Sequence, residues 1–569
     1  MPAFHVTSAR VASALLVLLT GLGSSCAALA DDPPAGPQPS ADTAAPPAIP
    51  ADEELERAGA LIGEIYVDPQ NIFNLNDPKE DKVLFRAANR LHIRTRESVV
   101  REQLLFQSGD LYEARLLQES ERILRSARYL YDASVRPVAW HDGVVDVAVT
   151  TRDVWTLNPG ISFGRHGGVN TYGFEIEELN MLGTGTSLSL SHKKGIDRES
   201  NLIEYKDTHL FGTWTSLRAG YANNSDGSLR RLDLDHPFYA LDTRWAGGTS
   251  FLDDRRVDSL YDLGKVVDQF HVHERFASAY YGWSDGLDRG WTRRWRVGAT
   301  LDENVFDPVP GATPPPPGSP ASLVPEDRKL VYPWVSFDLI QDDYGKFMNR
   351  DQIGRTEDFY LGTRVTASLG WSDPAFGADR KALMFKASAG HGFAPNEATT
   401  LLMTSTLGGR LESGELRNTL LDAALRYYVQ QSDHRLFFTT LAGSAGRNLD
   451  LDQQLLLGGD NGLRGYPLRY QGGTSRALLT VEQRYFTDWY PFRLFRIGAA
   501  AFFDIGRTWG DTAVSTPSLG LLKDVGIGLR IGNSRSGLGN VIHVDLAFPL
   551  DGDSSIDKVQ IIVETKERF

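Results

Sequence analysis

From Val154 to Phe569 the chain is written almost entirely in a period of two. Residues 187–191 alternate serine with leucine. Residues 476–486 set Ala477, Leu479, Val481 and Tyr485 against Arg476, Thr480, Glu482 and Arg484, and 541–546 repeat the scheme. Successive side chains of a strand point to opposite faces, so each such segment carries one apolar and one polar face. Segments of about ten residues, punctuated by Gly, Asn and Asp, continue to the end of the chain. Either a soluble sandwich or a closed membrane-spanning barrel satisfies this pattern, and alternation alone leaves both open.

Composition narrows the choice. A mean hydropathy of −0.28 and 23% charged residues do not exclude a barrel, whose lumen face is polar. Beyond the N-terminal segment no apolar run is long enough for a transmembrane helix. A formal charge of −14 argues against a nucleic-acid binder, which needs a cationic surface.

The N-terminal third reads differently. An apolar run at 11–22 follows Arg10 and precedes Ala28-Leu29-Ala30, so 1–30 reads as a secretory signal. The single cysteine, Cys26, lies inside it. An acyl-acceptor role for Cys26 is the alternative, although Gly23 stands where a large aliphatic is expected. With cleavage after Ala30 the mature chain has no thiol for disulfides or metals. Residues 31–57, with Pro33, Pro34, Pro37, Pro39, Pro46, Pro47 and Pro50, read as an extended, disordered tether.

Residues 58–153 read as α/β. A strand at 61–67 precedes a helix that Thr95 would cap, with Val99, Val100 and Leu104 inside it. A second helix sets Leu116, Leu117, Ile123 and Leu124 against Glu119, Arg122 and Arg125. Strands at 129–140 and 144–151 are joined by His141-Asp142-Gly143, and 74–90 reads as an insertion. The run 308–325, with Pro314 to Pro317, cannot be strand and is expected as an exposed loop.

Three places carry candidate chemistry. Arg464 lies in the glycine-rich stretch 458–466, and an arginine in a low-dielectric lumen keeps its charge and needs carboxylate partners. Glu482 shares a face with Thr480 and Arg484, opposite Leu479 and Val481, and should point inward. The expected first barrel strand contains Pro159, Gly160 and Gly164, which weaken its ladder. Residues 160–164 match G-x-S-x-G around Ser162, but Arg165-His166-Gly167-Gly168 follows instead of the helix a nucleophile elbow requires. His271 and His273 share a strand face without an identifiable third ligand, and Asp450, Asp452 and Asp460 form no calcium-loop pattern.

The phrase Leu463-Arg464-Gly465-Tyr466, then Phe502-Phe503-Asp504-Ile505-Gly506, and the final Phe569 resemble the bacterial surface antigen family, the BamA and TamA type of outer-membrane β-barrel. The β-α-α-β-β order of 58–153, with Leu105-Phe106-Gln107-Ser108-Gly109-Asp110 between the helices, is similar to a polypeptide-transport-associated (POTRA) domain. The resemblance implies a mainly β protein: one periplasmic POTRA domain, then a transmembrane barrel over 154–569 of about sixteen strands. It implies that Leu463, Arg464, Gly465 and Tyr466 fold back into the lumen against Glu482, Phe502, Asp504 and Gly506. It further implies insertion of unfolded client proteins into, or their passage across, the outer membrane. The expected partners are that client, outer-membrane lipid and a periplasmic or membrane partner protein, with no enzymatic activity, cofactor or metal. A weak seam between Pro159 and Ile161 on one side and Ile561 and Phe569 on the other would open to a client strand by β-augmentation. Leu463 in place of a β-branched residue, Glu567 on the lipid side of the last strand and the single POTRA domain depart from the family pattern. A dedicated two-partner-type secretion pore and a barrel that anchors a partner are the alternatives.

Overall fold

The computed structural model describes residues 49–310, 323–514, 519–537, 541–552 and 556–566. The expected signal segment, residues 31–48 of the expected tether, most of the proline run 308–325, Glu567 and Phe569 lie outside the described residues.

The N-terminal domain runs α1 (Asp52–Arg57), β1 (Leu61–Gln70), α2 (Val83–Leu91), α3 (Glu97–Arg101), α4 (Ala114–Ser126), β2 (Leu130–His141) and β3 (Val144–Asp153). Its sheet has the order β1-β3-β2, with β3 parallel to β1 and antiparallel to β2. Val145, Val147 and Val149 of the central strand are fully buried, and Leu55, Val100, Leu117 and Leu124 of the helices pack in the same core. The tight turn before β3 uses positive φ at Asp142 and Gly143.

Two local expectations are corrected, and the expected insertion proves to be partly helical. The tether was expected to run to residue 57, but α1 folds because Leu55 seals the core and Asp52 accepts from the Tyr112 hydroxyl at 2.7 Å. Thr95 caps no helix: its hydroxyl and its N–H donate to Asp153 at the end of β3, at 2.9 and 2.8 Å. The insertion 74–90 contains most of α2, held by Phe85 stacked on Phe73 at 4.1 Å.

After β3 the chain forms a closed antiparallel barrel of twenty strands, from Leu157–His166 to Gln560–Lys566. This corrects the expected sixteen. Alternation assigns faces to a strand, but the number that closes a barrel depends on tilt and stagger, which no local pattern encodes. Two short hairpins stand apart from the wall: Tyr344–Met348 with Thr356–Tyr360, and Leu455–Leu457 with Gln471–Gly473.

The outer surface is apolar, with Leu190, Leu232, Trp283, Val335, Leu421 and Leu529 all exposed. Such a surface is stable against lipid and costly against water. No helix among the described residues is long and apolar enough to cross a membrane. The N-terminal domain sits at one mouth, where Arg96 N–H donates to Gly183 O at 3.0 Å and Arg115 pairs with Asp242 at 2.5 Å.

Candidate functional site in the barrel lumen

The connection 448–474, between strands Arg435–Arg447 and Ser475–Phe486, enters the lumen from the mouth opposite the N-terminal domain. Its apolar side chains anchor it: Leu457, Leu463 and Tyr466 are essentially unexposed and pack with Tyr470 and Leu522. The Tyr466 hydroxyl donates to backbone carbonyls, with Lys523 O at 2.9 Å and Asp551 O at 3.1 Å. Two glycines permit the close approach. A Cβ on Gly465 would lie 2.7 Å from the Asp524 Cβ, and one on Gly506 2.8 Å from Leu457 Cδ2.

Arg464 occupies the centre. Its Nε and Nη2 donate to the two oxygens of Asp504 at 2.7 and 3.0 Å, the fork geometry suited to a guanidinium. Its Nη1 donates to Glu482 at 2.8 Å and to Asp545 at 3.1 Å. The guanidinium carbon lies 3.4 Å from the centre of the Phe502 ring, a cation–π contact. Asp504 also accepts from Thr480 at 2.7 Å, and Asp524 accepts the Gly465 N–H at 3.0 Å.

The wall extends the network. Glu482 accepts from Arg484 Nε at 2.9 Å and from Arg530 Nη2 at 3.4 Å, while Arg530 pairs with Asp545. Three guanidiniums and three carboxylates thus neutralise one another in a site from which water is largely excluded, which makes each group dependent on the rest. The motif reading named Leu463, Arg464, Gly465, Tyr466, Glu482, Phe502, Asp504 and Gly506, and all eight converge here. It missed Asp545, Arg530 and Arg484 as partners. The inward register of residues 541–546 and 476–486 was the available signal, but nothing local says that those faces meet Arg464.

The seam is the second feature. The first barrel strand pairs with its successor continuously from Leu157↔Glu178 to His166↔Val169, and the last with its predecessor from Val541↔Lys566 to Ala547↔Gln560. Among the described residues, first and last strands meet through one register pair, Val563↔Arg165. In that register Ile161 and Ile561 flank the closing pair and do not face each other. Pro159 lies within the first strand, where it contributes no ladder N–H.

The discounted motifs remain structural. Residues 160–164 lie inside the first barrel strand with no helix behind them. His273 pairs with Asp253 across neighbouring strands at 3.3 Å. His543, Asp545 and Glu564 bring ligand atoms within 4.8 Å of one another, but Asp545 is already engaged by Arg464 and Arg530, whose charges oppose a cation there.

Helix α4 joins the N-terminal domain to the barrel through charge. Arg125 forks onto Asp358 at 2.7 and 2.6 Å, and Glu121 accepts from Lys346 at 2.5 Å. Burial raises the proton affinity of Glu121, but Lys346, the Val135 N–H and Arg125 outweigh it and hold the carboxyl below its usual range.

No family model and no curated protein matches the sequence. Among solved structures the chain is similar to BamA from Haemophilus ducreyi lacking POTRA domains 1–3, at 14% identity and a TM-score of 0.37, over 89% of this chain and 85% of that one. It is also similar to CdiB from Escherichia coli, at 12% identity and a TM-score of 0.45, over 89% and 76%. CdiB from Acinetobacter baumannii gives 13% and 0.42, over 89% and 73%. The architecture of this chain rests on its own closed sheet and apolar belt.

Proposed function

We propose that this protein is an outer-membrane factor of the bacterial surface antigen type, which receives unfolded polypeptide in the periplasm and inserts it into, or passes it across, the membrane. The N-terminal domain, from α1 to β3, acts as the periplasmic POTRA domain. The observation that carries this reading is the seam: among the described residues its two edge strands share one register pair, Val563↔Arg165, whereas each pairs at length with its other neighbour. A lightly joined pair of strand edges offers hydrogen-bonding groups to an incoming strand, whereas a static pore needs no such weakness. The buried Arg464 cluster supports it by bracing the wall next to the seam, since Asp545 belongs to the strand that precedes the last one. No nucleotide is required, because client folding supplies the free energy.

A second reading is favoured by a different observation. The lumen is entered from opposite ends by the 448–474 connection and by the 344–360 hairpin, an arrangement suited to a gated channel dedicated to one exported protein.

The test is a disulfide between the directly opposed positions, Arg165→Cys with Val563→Cys, in a chain whose Cys26 is replaced by serine. Facing residues of antiparallel strands lie about 4.5–5.5 Å apart at Cα, within disulfide reach. Oxidation should abolish activity and reductant should restore it, while the barrel keeps its folded migration on gels. Full activity in the locked protein rejects lateral opening. Depletion followed by outer-membrane proteomics separates the two readings: broad loss of barrel proteins marks assembly, and loss of a single secreted protein marks dedicated export.

A further inference from the structure

The connection 342–363 joins barrel strands Arg328–Gln341 and Arg364–Ser372 on the side of the N-terminal domain. A tight turn would suffice there, since Ile340 already faces Arg364 and Gln341 N–H donates to Thr363 O at 2.9 Å. Instead the chain makes a hairpin whose tip reaches across the lumen. Ile353 and Phe359 pack with Tyr428, Leu436, Phe438 and Phe486, residues of wall strands several positions further round the ring.

The tip is built for that seat. Glu357 gathers the N–H groups of Arg350, Asp351 and Gln352 at 2.8, 2.8 and 3.2 Å, which fixes the turn. Arg350 is almost fully buried and donates to Glu397 O at 2.7 Å and Ala398 O at 3.2 Å. Tyr428 donates to Asp351 at 3.0 Å. Arg484, which holds Glu482 of the Arg464 cluster, donates through Nη1 to the Arg350 carbonyl at 2.9 Å. The two inner elements therefore meet on one wall strand. Withdrawn into water, the tip would expose its apolar side chains and leave Arg350 without these carbonyls, so the seated state is favoured unless another force removes it.

That force has an evident point of application. The N-terminal domain grips the hairpin through α4 and the start of β2. Besides Arg125–Asp358 and Glu121–Lys346, Arg122 lies over the Tyr344 ring at 4.1 Å, Tyr131 donates to Gly354 O at 2.8 Å, and Arg355 donates to Leu130 O at 3.1 Å. We propose that residues 342–363 form a plug of the domain-side mouth, latched to the N-terminal domain, so that movement of this domain away from the barrel withdraws the hairpin and opens the lumen. The proposal rests on the reading of the chain as a membrane-spanning barrel, and not on what the barrel transports.

Two measurements on the purified full chain test it without any client. In planar bilayers, excision of 343–361 with closure by a two-residue turn should raise single-channel conductance several-fold, and Arg125→Glu should raise the frequency of openings. Asp358→Arg added to Arg125→Glu should restore the closed behaviour. Independently, Ile353→Cys in the Cys26→Ser chain should resist a polar maleimide in the parent and react in the Arg125→Glu background. Unchanged conductance after excision, or fast labelling of Ile353→Cys in the parent, overturns the plug. If excision opens the pore but Arg125→Glu alters neither openings nor labelling, the latch is overturned. Should the excised chain fail to fold, the labelling experiment still decides. The seam disulfide and the proteomic readout leave these outcomes untouched, so failure here and failure of the transport reading are separable.

Discussion

Arg218 and Arg464 both hold lumenal carboxylates at hydrogen-bonding distance, yet their surroundings differ. Arg218 donates twice to Glu204 on the adjacent strand, 14 residues away in sequence, and its side chain remains 38% exposed. Arg464 takes partners from three strands, 18, 40 and 81 residues away, and its side chain is 6% exposed. The first contact is a ladder pair that the wall would make in any barrel. The second fastens a separate loop to the wall, and Asp504 would lose its guanidinium partner without it. The same pair of functional groups therefore stitches adjacent strands in one region and seats a distant loop in the other.

The contrast can be broken most directly at Arg464. Arg464→Ala strips Asp504 of its guanidinium and takes one partner each from Glu482 and Asp545, and should cost about 3–5 kcal/mol. The measurements are the urea midpoint of the folded gel band and conductance, which should rise as the 448–474 connection unseats. Arg464→Lys keeps the charge but loses the fork on Asp504, and a smaller loss of about 1.5–3 kcal/mol is expected in the same unfolding assay. Equal stability of the lysine and parent proteins would show that charge alone seats the loop. Gly506→Ala pushes a methyl toward Leu457, and overpacking there should cost about 1–2 kcal/mol, read as a lower midpoint with the charge network intact. Arg218→Ala should change the midpoint by only about 0–1 kcal/mol and leave conductance gating as in the parent. A large effect at Arg218 would erase the distinction between the two regions.

Much of the site was legible because two short phrases carried it. Arg464 with Asp504 and Glu482 could be named from R-G-Y, F-x-D-x-G and the inward register of one strand. Asp545 and Arg530 could not, because alternation says only that they face inward. The 342–363 hairpin was illegible for a different reason. Its strands are five residues each, and its apolar residues find their partners on distant wall strands. Helix α1 was hidden by the proline-rich text before it, since one leucine, Leu55, supplies the burial that folds it.

The sequence by itself determined the strand character after residue 154, the inward and outward faces, and the α/β nature of the N-terminal domain. These follow from the periods of side-chain direction, which are local properties of the backbone. Only the tertiary structure decided that twenty strands close the barrel, that the last meets the first through Val563↔Arg165, and that two inner elements converge on the strand carrying Glu482 and Arg484. Those outcomes depend on stagger, tilt and burial summed around the whole ring, quantities that no single segment contains.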